Sequence, residues 1–141
     1  MSFAEQMKSL AIISEEEIRV KNQERQKLKE EQLKIRQEEV KDRMFKQLSK
    51  KHLLSIKTGI MNAAKKGKSE KYINFKREDF KANCPGLGGV AAFQLLWLNE
   101  ITNPESEYLI EDPDNKGEKI NLSGVKFSIW NNSSFTTMFS W

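Results

Sequence analysis

The sequence predicts an α+β protein in which a long, charged N-terminal helix, suited to coiled-coil pairing, leads into a small antiparallel sheet covered by two helices. Three observations carry this. Residues 15–66 contain no proline and a single glycine, Gly59, among dense Glu, Lys, Arg and Gln, which are good helix formers. Of the aromatic residues (eight Phe, three Trp and two Tyr), only Phe3 and Phe45 precede residue 72, so the core-building material is C-terminal. Finally, residues 125–130 and 135–141 alternate apolar and polar positions around residues 131–134, the pattern of a hairpin.

At the N-terminus, Phe3, Met7, Leu10 and Ala11 recur at helical spacing and are expected to form a short, fraying first helix. Ser14 followed by Glu17 reads as a capping box that starts the main helix, in which hydroxyl and carboxylate each bond the other residue's amide. Glu15–Arg19, Glu17–Lys21, Glu30–Lys34 and Glu39–Arg43 are i,i+4 pairs in the favourable orientation. Between Lys21 and Val40 the apolar positions are only Leu28, Leu33, Ile35 and Val40. They sustain no clean a/d repeat, and no internal repeat is read. The pattern favours a loose, self-associating coiled coil over a lone charged helix.

Beyond Val40 the helix becomes amphipathic. Phe45, Leu48, Leu53, Ile56, Ile60 and Ala63 share one broad face, with a bend or break expected near Ser49, Lys50 and Lys51. Lys65, Lys66 and Gly67 form a stop signal: cations at the negative end of the helix, then a glycine for the left-handed cap. Residues 71–76 read as a strand and residues 77–83 as a helical turn. Residues 85–89 read as a loop, and Val90–Ile101 as a helix apolar almost all round and therefore buried. Residues 107–111 and 118–122 read as two strands joined by a dense turn. The expected sheet has four or five strands. The domain reading is a charged helical extension over 1–42 and a compact α+β domain over 43–141 that includes its first, basic helix.

Charge is uneven. Residues 1–42 carry a net −1, residues 43–71 a net +8 and residues 72–141 a net −3, which together give the chain's +4. The basic pI therefore belongs to one segment. On a helix, Arg43, Lys46, Lys50 and Lys57 line one stripe with Lys51 beside it. Such a stripe would bind nucleic acid through phosphates with little base reading. Tyr72, Phe75, Trp130 or Phe135 could stack bases of a single strand.

No catalytic constellation is legible. His52 is the only histidine, lies among lysines, and has no carboxylate near it in sequence. With one His and one Cys, a zinc site has few ligands to draw on. Cys84 reads as a small buried residue, and a lone cysteine forms no intramolecular disulfide, which fits a reducing, cytoplasmic setting. The glycine-rich loop lacks the Lys-Ser/Thr of a phosphate-binding loop. Asp112, Asp114 and Glu118 read as turn residues, because Pro113 breaks any calcium-loop spacing. No stretch has the roughly 18 apolar residues of a membrane span.

The expectation is thus a non-catalytic protein–protein interaction, scaffold or adaptor protein. It would self-associate or dock on a protein partner through Leu28, Leu33, Ile35 and Val40. Its Lys-, Asn- and Ile-rich composition suits an accessory protein of a phage, virus or AT-rich bacterium. The alternative is a sequence-tolerant nucleic-acid binder using the basic helix 43–71, with Arg43, Lys46, Lys50, Lys51 and Lys57 as contacts. No cofactor, metal, membrane or small-molecule ligand is expected.

Overall fold

The computed structural model describes residues 2–130 and 135–141. The hairpin loop expected at 131–134 lies outside them. The order of elements is α1 (Phe3–Leu48), a π-helical turn (Ser49–Leu53), α2 (Leu54–Lys65), β1 (Glu70–Asn74), a 3-10 turn (Arg77–Phe80), α3 (Val90–Ile101), β2 (Lys126–Trp130) and β3 (Thr136–Ser140). The fold is α+β, with a long charged helix and a three-stranded antiparallel sheet of order β1-β3-β2. The chain divides into two compact units, Met1–Glu38 and Glu39–Trp141. The second unit begins earlier than residue 43 because Val40, Lys41, Asp42 and Met44 are already partly covered.

α1 starts at Phe3, not after Ser14. The capping box is formed by Ser2 and Glu5: the Glu5 amide donates to Ser2 Oγ and the Ser2 amide to Glu5 Oε2, both at 3.3 Å. Nothing between Phe3 and Ser14 interrupts a helix, so Ser14 is an interior residue. The expected break near Ser49 is a π-helical turn through which the backbone stays right-handed helical. Its wider winding brings Leu48, Ser49, Leu53 and Ile56 all to the interior. α2 ends as the sequence signals. Gly67 is left-handed (φ 78°), its amide bonds the Ala64 carbonyl, and the Lys68 amide bonds the Ala63 carbonyl, closing a Schellman motif.

Both helices lie on one face of the sheet. Gln94 of α3 donates to Thr137 Oγ1 at 2.8 Å, and Gly59 of α2 lies against Lys71 and Ile73. Odd-numbered residues of the strands therefore face the helices, and Tyr72, Met138 and Trp130 face away. Between the layers sit Trp97, Phe45, Phe80, Phe93, Phe139 and Ile101, all essentially inaccessible. Phe135 enters β3 with a left-handed backbone (φ 45°), strained for a bulky residue. Its ring is buried against Phe80 at 5.8 Å, with the Arg77 guanidinium over it.

Two expectations are corrected. Residues 107–111 and 118–122 are not sheet strands; only Glu111 and Lys119 form an isolated bridge. Tyr108 and Leu109 are consecutive and both buried, so the segment does not show the one-sided alternation expected of it. Among the described residues the sheet therefore has three strands. Secondly, α3 is apolar nearly all round but not fully buried, since Leu95 and Leu96 are each 45% exposed.

Gly59 sits inside α2, and a Cβ there would meet its nearest neighbour, Lys71 Cε, at an ordinary 3.6 Å. Gly59→Ala should therefore stabilise the domain by about 0.5–1 kcal/mol by restricting the unfolded chain. A denaturant midpoint that fails to rise would show hidden strain at this site.

Candidate functional site

The residues expected to bind a partner fall in two settings. Leu28, Leu33 and Ile35 are 55%, 37% and 60% exposed, whereas Val40 is partly covered. At 100° per residue, Leu28 and Ile35 share one stripe of α1 and Leu33 and Val40 another, about 140° away. They do not form one seam. Phe3, Met7, Leu10, Ile12, Ile13, Ile18 and Val20 are also exposed on the same helix. Phe3, Met7 and Leu10, expected in a separate fraying segment, belong to this one continuous helix.

A repeat of charge was missed as well. Glu17, Glu24, Glu31 and Glu38 recur every seven residues, and Lys27, Lys34 and Lys41 follow the last three of these at a spacing of three. Acid and base alternate at steps of three and four along one face, the spacing at which helical side chains meet. A search for apolar heptads passes over such a pattern. It supports a helix whose surface stays in water.

The basic residues are largely committed within the chain. Lys46 pairs with Asp42 at 2.9 Å and Lys51 with Asp79 at 2.9 Å. Lys57, only 14% exposed, is clasped by Asp112 and reaches Asp114 at 3.1 Å. The Asp42–Lys46 and Asp112–Lys57 pairings shift their groups toward the charged form. The Lys46 ammonium lowers Asp42, and the Lys57 ammonium lowers Asp112. Conversely, Asp42 raises Lys46 and Asp112 raises Lys57. Asp112 also accepts the Asp114 amide at 3.0 Å, so it anchors the turn. Arg43 and Lys50 are exposed. Among the described residues no group of three His, Cys, Asp or Glu is placed to hold a metal ion. Nor is any helix among them long and apolar enough to cross a membrane.

His52, expected as a surface or partly packed histidine, is partly packed. The π-helical turn sets its ring edge-on to Phe75 (5.2 Å) and Trp97 (6.2 Å) and parallel to Phe80 (6.3 Å). Its Nε2 lies 3.1 Å from Asp79 Oδ2. A carboxylate only accepts, so the neutral ring carries its proton on Nε2. The same turn offers Ser49 Oγ to Trp97 Nε1 at 3.2 Å. Burial lowers the pKa of His52, outweighing the opposite pull of Asp79. Burial works against charge on Asp79 too, but the Lys51 and His52 contacts hold its carboxyl below the usual range. This is the pairing of a base with an orienting carboxylate, here set among three aromatic rings.

The sign of its titration follows. The folded chain takes up the His52 proton at lower pH than the unfolded chain, so stability should decline as pH falls through about 6.5 toward the folded-state value. Asp42, Asp79 and Asp112 act lower down. Their stabilisation is present above about 3.8 and is lost as pH falls through their depressed values. Denaturant midpoints at about pH 7.5 and about pH 5.5 should differ for the wild type and converge for His52→Asn. The same loss in both chains would place the titration elsewhere.

Of the aromatics considered for base stacking, Phe75 and Phe135 are buried, whereas Tyr72 and Trp130 are exposed on the outer sheet face with ring centroids 5.3 Å apart. Beside Tyr72 a polar cleft is lined by Asn62, Lys66, Lys68, Glu70 and Lys71. Cys84 is buried. Gly86 and Gly88 adopt left-handed backbone (φ 85° and 77°), and a Cβ on Gly88 would lie 3.2 Å from Ala92 Cβ, so the glycine-rich loop is a tight entry into α3.

No protein-family model, curated protein or solved structure matches this chain. The geometry alone therefore carries the functional reading.

Proposed function

We propose that this is a non-catalytic interaction or scaffold protein that works through its N-terminal helix, chiefly by self-association and otherwise by docking on a partner helix. The observation that carries this is the run of exposed apolar side chains on α1, of which Leu28, Leu33 and Ile35 are the clearest. Each is a large apolar surface left in water, and covering it is favourable by about 25 cal/mol per Å². The two stripes, about 140° apart by helical geometry, suit a helix with neighbours on two sides, as in a bundle, better than a two-stranded coil with one seam. The alternating Glu/Lys face keeps the remaining surface in solvent. Replacing Leu28, Leu33 and Ile35 with serine should lower the assembled mass while leaving the compact domain's melting unchanged. Val40 is left intact because it is partly covered within that domain.

A second reading is nucleic-acid binding, and one observation favours it. Lys66, Lys68 and Lys71 line a cleft beside the exposed Tyr72–Trp130 pair, giving phosphate-binding cations next to a stacking platform. This moves the contacts away from Lys46, Lys51 and Lys57, whose charges are matched internally. A single-stranded oligonucleotide should shift at low salt and lose that shift when Lys66, Lys68 and Lys71 are reversed to Glu. Binding lost equally on reversing Lys46 would return the contact to the helix stripe.

A further inference from the structure

The apolar side that α3 leaves open borders a strand edge. Ala91, Ala92 and Leu95 of α3 and Phe127 and Ile129 of β2 line a shallow trough of about 320 Å³ with almost no polar lining. Phe127 and Ile129 remain only partly covered, and Leu95 is exposed. Among the described residues β2 pairs with β3 alone, so its other edge is free.

The hydrogen-bond register says which groups that edge presents. The Phe75 amide bonds the Phe135 carbonyl and the Trp141 amide bonds the Ser69 carbonyl. Odd-numbered residues of β3 therefore turn their amides and carbonyls toward β1, and even-numbered ones toward β2. Since Ser140, Met138 and Thr136 oppose Lys126, Ser128 and Trp130, those three β2 residues bond β3. Phe127 and Ile129 are left with amide and carbonyl both pointing outward. Their side chains are the ones that line the trough. An unpaired edge above an apolar trough is the arrangement that accepts another strand.

We propose that β2 pairs antiparallel with β2 of a second copy about a two-fold axis at Ser128, with the two α3 helices packing side by side beneath the joined sheet. Three features select a second copy as the occupant. The register centred on Ser128 is the self-pairing that uses all five residues of β2, and it sets the outward groups of Phe127 opposite those of Ile129 in the other copy. It preserves faces, so Phe127, Ile129, Leu95 and Ala92 of the two copies join in one apolar layer. On the outer face it places Lys126 directly opposite the other copy's Trp130, a cation against an exposed indole. A two-fold contact of this kind closes on itself and leaves no edge of β2 free.

The register gives the test. Ser128 would face Ser128 of the second copy at a non-hydrogen-bonded position, where Cα atoms are about 4.5 Å apart, within disulfide range. Lys126 would lie several residues from its own equivalent. Full-length chains carrying Cys84→Ala with either Ser128→Cys or Lys126→Cys are oxidised mildly and run without reductant. The Ser128→Cys chain should cross-link to a dimer and the Lys126→Cys chain should not. Adding Leu95→Glu to Ser128→Cys should cut the cross-linked fraction by about tenfold or more with an unchanged circular dichroism spectrum. Repeating the experiment with Leu28, Leu33 and Ile35 replaced by serine should give the same result, because this contact is separate from the helix-mediated association proposed above. No cross-link at 128, equal yield at 126, or indifference to Leu95→Glu would overturn the proposal. The first of these would leave the β2 edge to an extended segment of a different protein.

Discussion

Replacing Trp97 with alanine should lower the stability of the compact domain by about 3–5 kcal/mol, a large part of the 5–15 kcal/mol typical of a domain. Trp97 is fully buried, and Phe75, Phe80 and His52 all lie against its ring. Its loss leaves a cavity at the meeting point of α3, β1 and the π-helical turn. It also removes the indole donor to Ser49 Oγ, stranding a hydroxyl that is itself wholly buried. Trp97→Phe separates the two effects: it keeps most of the volume, loses the hydrogen bond, and should cost less. Chemical denaturation of the three chains measures both differences. A Trp97→Ala loss below about 1 kcal/mol would mean the core does not converge on this residue.

The second large effect concerns where the domain begins. A chain lacking residues 1–38 should keep a cooperative unfolding transition, because that unit contributes no buried side chain to the core. A chain lacking residues 1–53 should not fold. It loses Phe45, Leu48, Ser49 and Leu53, all buried, together with His52 and the Lys51 partner of Asp79. About 90 residues with a core opened on one side fall in the size range where burial is marginal. Thermal melts monitored by near-ultraviolet dichroism decide both cases. A cooperative melt in the shorter chain would show that the first helix is dispensable.

The fold class was legible because two signals are local. The proline-free charged stretch and the C-terminal alternation each depend on residues close in sequence. The helix limits at Lys65 and over Val90–Ile101 were equally plain, set by Gly67 and by Asn103-Pro104. The π-helical turn was visible only as a disturbance near Ser49, since its cause is tertiary: it serves Trp97 and Asp79, far along the chain. The partners of His52 were hidden for the same reason. Its carboxylate and its rings come from residues 75–97, and no local pattern points to them. Lys51 and Lys57 looked free because their partners Asp79, Asp112 and Asp114 lie 28–57 residues away. The strands expected at 107–111 and 118–122 failed for a different reason: the two segments meet at a single bridge, Glu111–Lys119, which composition cannot distinguish from a ladder. The heptad of charge on α1, Glu17, Glu24, Glu31 and Glu38, was present in the sequence throughout, but apolar periodicity alone does not register it.

The most direct test of helix-mediated self-association is the absolute mass of two full-length chains, measured by light scattering over a range of concentrations. One is the wild type and the other carries Leu28→Ser, Leu33→Ser and Ile35→Ser. The wild type should be a defined multiple of 16.4 kDa, and the triple variant should be smaller by at least one factor of two at the same concentration, with the same melting of the compact domain. Equal masses for the two chains at every concentration would contradict self-association through α1.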